Sequence, residues 1–217
     1  MYNAYLEDMR IKSNHTVFYP LLKRIIDICG VIVGLVLLAP LFIIVAIAIK
    51  WEDPKGTVLF AQERVGKNGK IFKFYKFRSM VHNAEELLES LMHLNEVDGP
   101  AFKIKDDPRI TKVGKFIRKT SIDELPQLIN ILKGDMSFVG PRPPLPREVE
   151  QYDAYQMQRL KVKGGLTCYW QIGGRNETTF DEWVELDLKY IEDMNVVLDI
   201  RLILMTFKVF LGDNNAS

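Results

Sequence analysis

Two cysteines in 217 residues, Cys29 inside an apolar run and Cys168 far along the chain, leave neither a disulfide framework nor a metal-ligand spacing, and a reducing cytosolic face fits them. An excess of charge of one sign is missing too. With 29 Lys and Arg against 28 Asp and Glu the net charge is +1, which excludes a nucleic-acid partner held by bulk electrostatics. There is no internal repeat and no low-complexity tract. Residues 1–16 are polar, and too long and too acidic for the leading part of a secretion signal. What is left is a length that supports one domain with a real core, plus an appendage.

Apolar residues are concentrated in one early stretch. Across residues 25–49 only Asp27 carries charge, and about 25 residues at about 1.5 Å each suffice to cross a hydrocarbon core. Pro40 lies inside this run, where it removes a helix hydrogen bond. Lys23, Arg24 and Lys50 put positive charge at both ends, so a positive-inside count has no preferred direction. A bend at Ala39-Pro40 would return both ends to one face as a re-entrant helix-break-helix; a kinked single span is the alternative. Asp27 is expected to pair with Lys23 or Arg24 at headgroup depth, because a lone intramembrane charge costs about 2.5–3.5 kcal/mol.

Trp51 suits a membrane interface. Residues 57–62 and 71–77 then read as two strands around the turn Gly66-Lys67-Asn68-Gly69, a β-hairpin. The second strand interleaves lysines with aromatics, which either protects an edge or contributes to a ligand site. Residues 83–94 read as an acid-rich helix with a solvated face, and Asp106-Asp107-Pro108 as turn chemistry rather than metal ligation. Ile110, Val113, Phe116 and Ile117 share one helical face with Lys112, Lys115, Arg118 and Lys119 around it, a basic amphipathic segment suited to anionic headgroups. Helices are further expected over 148–161, 183–194 and 198–211, the last again amphipathic. The glycine pairs Gly164-Gly165 and Gly173-Gly174 mark turns.

The most informative stretch is Arg118-Lys119-Thr120-Ser121-Ile122-Asp123-Glu124-Leu125-Pro126-Gln127. Ser121 followed by Glu124 has the form of a capping box, so a helix is expected to begin there and to end at Gly134. Asp123 and Glu124 would then lie in its first turn, where the macrodipole favours anions. Two adjacent carboxylates near several Arg and Lys make sense if a divalent cation and a polyphosphate complete the charge balance; a helix whose acids merely complement its dipole is the alternative. Farther on, Pro141, Pro143, Pro144 and Pro146 stiffen the backbone around Arg142, whose guanidinium suits a phosphate or carboxylate fork.

The ordered set of the basic-flanked apolar run with Pro40, Lys76-Phe77-Arg78-Ser79-Met80, Arg118 with Asp123-Glu124-Leu125-Pro126-Gln127, Gly134-Asp135-Met136-Ser137-Phe138-Val139-Gly140-Pro141-Arg142-Pro143, and Gly174-Arg175-Asn176 strongly resembles the bacterial monotopic phosphoglycosyl transferases. The match runs over residues 23–211. It departs from the family pattern at Ala39-Pro40, where Ser often precedes Pro, at Gly164-Gly165 in place of Pro-Gly, and at Cys168-Tyr169 in place of Gly-Trp.

The resemblance implies transfer of a sugar-1-phosphate from a UDP-sugar to undecaprenyl phosphate, with release of UMP, as the initiating step of membrane glycoconjugate assembly. It implies Asp123 as the nucleophile that forms a covalent phosphosugar intermediate and Glu124, with Asp123, as the ligand of a required Mg²⁺. Lys76, Arg118 and Arg142 are implied as holders of the diphosphate or lipid phosphate, Asp187 as a further functional acid, and Arg78, Ser79 and Arg175 as motif matches. The chemistry agrees, since an aspartate is ionised at neutral pH and needs no base to act as a phosphoryl acceptor. A non-catalytic membrane scaffold and a magnesium-dependent aspartyl-phosphate hydrolase are the competing readings.

The expected fold is α+β and mostly helical. It comprises a polar segment (1–16), a membrane re-entrant helix (17–50), a cytosolic catalytic domain (51–211) with a short hairpin and amphipathic interfacial helices around the active site, and a tail (212–217). Expected partners are the UDP-sugar, undecaprenyl phosphate and membrane lipid, with homodimerisation left open. The expected location is the bacterial inner membrane, with the catalytic domain on its cytoplasmic face.

Overall fold

The computed structural model describes residues 18–94, 104, 106–169 and 179–212, so Arg175, Asn176 and the two termini lie outside the described residues. In chain order the elements are helix α1 (Tyr19–Glu52), strands β1 (Leu59–Val65) and β2 (Ile71–Phe77), helices α2 (Leu88–Leu91), α3 (Lys112–Lys119) and α4 (Gln127–Lys133), strand β3 (Met136–Val139), helix α5 (Pro146–Val149), strand β4 (Gly164–Thr167), and helices α6 (Phe180–Asp193) and α7 (Val196–Gly212). Among the described residues the protein is mostly helical with two two-stranded sheets, β1 with β2 and β3 with β4.

Helix α1 has 34 residues with Pro40 inside, and it is long and apolar enough to cross a membrane. Val36 and Leu37 on it are 69% and 72% exposed, apolar surface that water does not favour. The chain divides into two compact units, one of Met1–Leu37, Ala61–Tyr75 and Pro126–Ser217, the other of Leu38–Phe60 and Lys76–Leu125.

In the first unit, β3 and β4 pair in parallel, with Met136 opposite Gly164 and Ser137 opposite Gly165. Gly165 is required here: a Cβ on it would overlap the backbone nitrogen of Gly140. Val139 joins Val184, Leu188, Tyr190 and Ile191 of α6 and Leu202 of α7 in the main apolar cluster. The second and third turns of α1 are tied into this unit by polar groups. Asp27 does not pair with Lys23 or Arg24 as expected; it accepts hydrogen bonds from Ser137 Oγ (2.9 Å) and the Phe138 amide (3.0 Å). Lys23 instead meets Asp199 at 2.7 Å, and Arg24 donates to the carbonyls of Ile131 and Leu132 at the end of α4. These carbonyls lie at the C-terminal end of α4, where the partial negative charge of the helix end attracts a guanidinium, even though Ile131 O also accepts from the Gly134 amide at 3.0 Å.

Two expected helices are largely turns. Over 148–161, α5 stops at Val149 and a 3₁₀ turn covers Gln156–Lys161. Asp153 and Gln156 exchange side-chain to backbone hydrogen bonds (2.8 and 3.1 Å) that start a new turn and interrupt the helix. Over 83–94 only Leu88–Leu91 is α-helical, followed by a 3₁₀ turn at Met92–Leu94. Leu87 and Met92 are exposed there, and a short helix without a packed face is marginal in water. The hairpin turn is as expected, with Asn68 and Gly69 at φ 57° and 77°.

Candidate active site

The second unit is built on residues 38–52 of α1. Val45 and Ile49 of that helix are buried with Phe77 and Ile117, and Phe42, Val113 and Ile122 pack against them. Each apolar anchor sits next to a polar residue of interest: Phe77 follows Lys76, Ile117 precedes Arg118, and Ile122 precedes Asp123. Burying one such side chain stabilises by about 1.5–3 kcal/mol, so three neighbouring polar side chains are fixed by one small core. Glu52, at the end of α1, adds a carboxylate cap to α3, accepting from the Lys112 and Val113 amides at 2.7 and 2.8 Å.

The expected capping box is absent. Ser121 adopts a left-handed conformation (φ 54°) and its side chain does not cap; Ile122–Glu124 form a 3₁₀ turn and α4 begins only after Pro126. Pro126 has no N–H to bond back to Ile122, so one continuous helix from Ser121 is not available. Asp123 and Glu124 therefore lie in a tight turn ahead of the helix and not in its first turn. Gly134 ends α4 as expected, at φ 85°.

Within this unit the carboxylate pair, Lys76 and Arg118 come together. Lys76 Nζ lies 2.8 Å from Glu124 Oε1 and 3.5 Å from Asp123 Oδ2. Asp123 is 7% exposed. Burial pushes its carboxyl above the usual range, the Lys76 ammonium opposes that, and the neighbouring Glu124 charge adds to it. Arg118 Nε donates to Ser79 Oγ at 2.8 Å, so Ser79 orients the arginine from behind. Arg78 is engaged elsewhere: its guanidinium holds the carbonyl and hydroxyl of Thr57 (2.9 and 2.7 Å) and stacks over Phe60.

If Asp123 is the nucleophile that the resemblance implies, its ionised form is the active one, and the acid limb of kcat/KM should lie above the ordinary carboxylate range. Lys76→Met, which removes the favourable charge, should move that limb to higher pH; an unchanged limb in a pH profile would separate Lys76 from the ionisation of Asp123.

Two hard oxygen donors side by side fit a magnesium ion. No group of three or more His, Cys, Asp or Glu gathers among the described residues, so water and substrate oxygens would complete the shell, as Mg²⁺ prefers.

In the first unit, Arg142 is half-buried on the proline loop. Asp187, implied as a functional acid, is 1% exposed and its Oδ2 accepts from Arg159 Nε (2.8 Å) and Nη2 (2.7 Å). Arg159 also donates to Tyr152 Oη at 2.8 Å and lies over the rings of Tyr152 and Phe180. Burial pushes the Asp187 carboxyl up to about 6 even against this guanidinium. Arg159, Arg64 and Glu52 were not singled out from sequence, nor was the pairing of the turn former Asp107 with Arg109 (2.6 Å). Only the last had a local signal, since Asp and Arg two apart in a turn can fold onto each other.

A lysine across two adjacent carboxylates, with an oriented arginine on the same unit, gathers the kinds of charged groups that can hold an anionic ligand beside a carboxylate. The chain belongs to the bacterial sugar transferase family, whose model matches residues 18–213. It is 52% identical to the galactosyl transferase CpsE of Streptococcus agalactiae over 190 residues, 87% of this chain and 42% of that protein. It is 43% identical to the UDP-glucose:undecaprenyl-phosphate glucose-1-phosphate transferase of Escherichia coli, covering 88% of this chain and 41% of the relative. With the exopolysaccharide production protein ExoY of Rhizobium meliloti it shares 39% identity over 85% of this chain and 83% of the relative. The chain thus spans about two fifths of the length of several of the curated relatives it matches.

Proposed function

We propose that this chain transfers a sugar-1-phosphate from a UDP-sugar to undecaprenyl phosphate on the cytoplasmic face of a bacterial inner membrane, the first step of a membrane-bound polysaccharide. The observation that carries this reading is the buried Asp123 beside Glu124, with one lysine ammonium reaching both. The names of the relatives supply the substrate class.

A carboxylate oxygen of Asp123 attacks the β-phosphorus of the donor. The bond from that phosphorus to the oxygen bridging the α-phosphate breaks, and UMP leaves with the electron pair. An oxygen of the lipid phosphate then attacks the aspartyl phosphosugar, regenerating the carboxylate and forming a diphosphate-linked lipid sugar. Lys76 and Arg118 offset the negative charge that would otherwise repel an anionic nucleophile from an anionic substrate. Asp123 and Glu124 would hold Mg²⁺, which when bound withdraws charge from the diphosphate oxygens.

The experiment is direct: the solubilised protein is incubated with undecaprenyl phosphate and, in turn, UDP-galactose, UDP-glucose and UDP-N-acetylgalactosamine, following UMP. One donor should give UMP in excess over the enzyme only when the lipid phosphate is present, and excess EDTA should stop it. Sustained release, beyond one UMP per enzyme, without lipid acceptor would favour a hydrolase, and no release from any UDP-sugar would favour a scaffold.

The exposed apolar surface of α1, with basic residues at both ends and Pro40 inside, supports a re-entrant course that keeps the site at the headgroup plane, where a lipid phosphate and a soluble donor can meet. Single cysteines introduced near residues 20 and 55 should react with an impermeant reagent from the same side of the membrane. Labelling from opposite sides would establish a full span.

A further inference from the structure

We infer that Arg64 is the positioning residue for Arg142, an inference that rests on the proposed transfer and on the phosphate-holding role that the family resemblance implies for Arg142. The segment Pro141-Arg142-Pro143-Pro144 contains three prolines, which have no N–H to donate. A loop of this composition must be held from outside, through its carbonyl oxygens. Three such bonds are present. The Gly165 amide donates to Pro141 O at 2.9 Å, the Val65 amide to Pro144 O at 2.9 Å, and Arg64 Nη1 to Pro143 O at 3.0 Å. Two of the three come from backbone amides that no side-chain substitution removes. The third comes from the side chain of Arg64, and it lands on the residue directly after Arg142.

Arg64 is itself held in place. It lies on β1, its Nη2 donates to Gln62 Oε1 at 3.2 Å, and its guanidinium stacks over the Phe74 ring with 5.4 Å to the centroid. The three prolines are buried, and Pro143 packs closely against Gly164, with a small void of about 10 Å³ between the loop and Val65, Arg159 and Gly164. Packing and the hydrogen bonds to the loop carbonyls hold it together, and of those bonds the one from Arg64 is the one a side-chain substitution removes. The Gln62-Glu63-Arg64-Val65-Gly66 stretch thereby gains a role that the hairpin alone does not give it.

Arg64 touches no substrate in this account; it acts through Arg142. The phosphate concerned belongs either to the donor diphosphate or to the lipid acceptor, and the substrate whose KM responds identifies it. The test is a double-mutant cycle on the full chain, with the active donor and undecaprenyl phosphate, measuring kcat, KM for each substrate and melting temperature for Arg64→Met, Arg142→Gln and the double variant. Arg64→Met should lower kcat/KM about 10- to 100-fold, the loss typical of a group misplaced by about 1 Å. It should raise the KM of the same substrate that Arg142→Gln affects, and add little in the Arg142→Gln background. Arg64→Lys, which keeps one donor, should recover part of the loss. Additive losses, or a loss explained by a lowered melting temperature, would make Arg64 merely structural. A normal Arg64→Met enzyme beside a crippled Arg142→Gln enzyme would overturn the positioning role alone. Full activity in Arg142→Gln would remove the phosphate role of Arg142 and this inference with it.

Discussion

Asp123→Asn should abolish UMP release and, with the donor alone, should yield no protein adduct carrying a phosphosugar by intact mass, whereas the unaltered protein should yield one. The amide has the shape of the carboxylate but cannot form an acyl phosphate. The expected fall in turnover is about 10⁴-fold or more, the size seen when a covalent nucleophile is removed. Folding should survive, because Asp123 is held mainly by its neighbour Ile122 in the apolar cluster with Phe77 and Ile117. Burial also disfavours the charged carboxylate, so the neutral amide relieves a cost at that site. An active, adduct-forming Asp123→Asn protein would end the covalent mechanism. Glu124, one residue on and bound to Lys76 at 2.8 Å, would be the next candidate nucleophile.

The second large effect should be on stability. Asp187→Ala removes the carboxylate that faces Arg159 and leaves a guanidinium that is 4% exposed without its counter-charge. Breaking a buried pair in this way costs about 3–5 kcal/mol. At about 2–4 °C per kcal/mol for a chain of this size, the apparent melting temperature should fall by about 6–20 °C. Turnover would then be lost together with folding. If the variant melts normally and turnover alone is lost, Asp187 touches substrate, as the family resemblance implies.

A pH profile gives an independent check. Because the folded-state pKa of Asp187 lies above its ordinary 3.8, the folded state binds more protons than the unfolded chain between 3.8 and about 6. Stability from this group is present below that window and is lost as pH rises through it. Asp187→Asn should flatten that part of the profile.

Much of this protein could be read along the chain. The apolar run, the hairpin around Gly66 and Gly69, the end of α4 at Gly134 and the helices of 183–194 and 198–211 depend on period and on local backbone chemistry, which neighbouring residues set between them. The carboxylate pair and its basic company were legible for a similar reason, since adjacency in sequence guarantees proximity in space. The start of α4 was misread because Ser121 and Glu124 satisfy the spacing of a cap while Pro126 withholds the hydrogen bond that would make the helix continuous.

The sequence by itself therefore determined that one apolar helix accompanies a site of two carboxylates, lysine and arginine, and which family the chain resembles. The tertiary structure alone decided which charges meet. Lys76 reaches Asp123 and Glu124 across 47 and 48 positions, Lys23 reaches Asp199 across 176, and Arg64 reaches Pro143 across 79. An ammonium or guanidinium carries no periodicity that points to a distant partner, and burial then chooses between candidates by desolvation and by which donors remain unsatisfied. Asp27 shows this most clearly: two cations lie within one helical turn of it, and it bonds Ser137 and Phe138 instead.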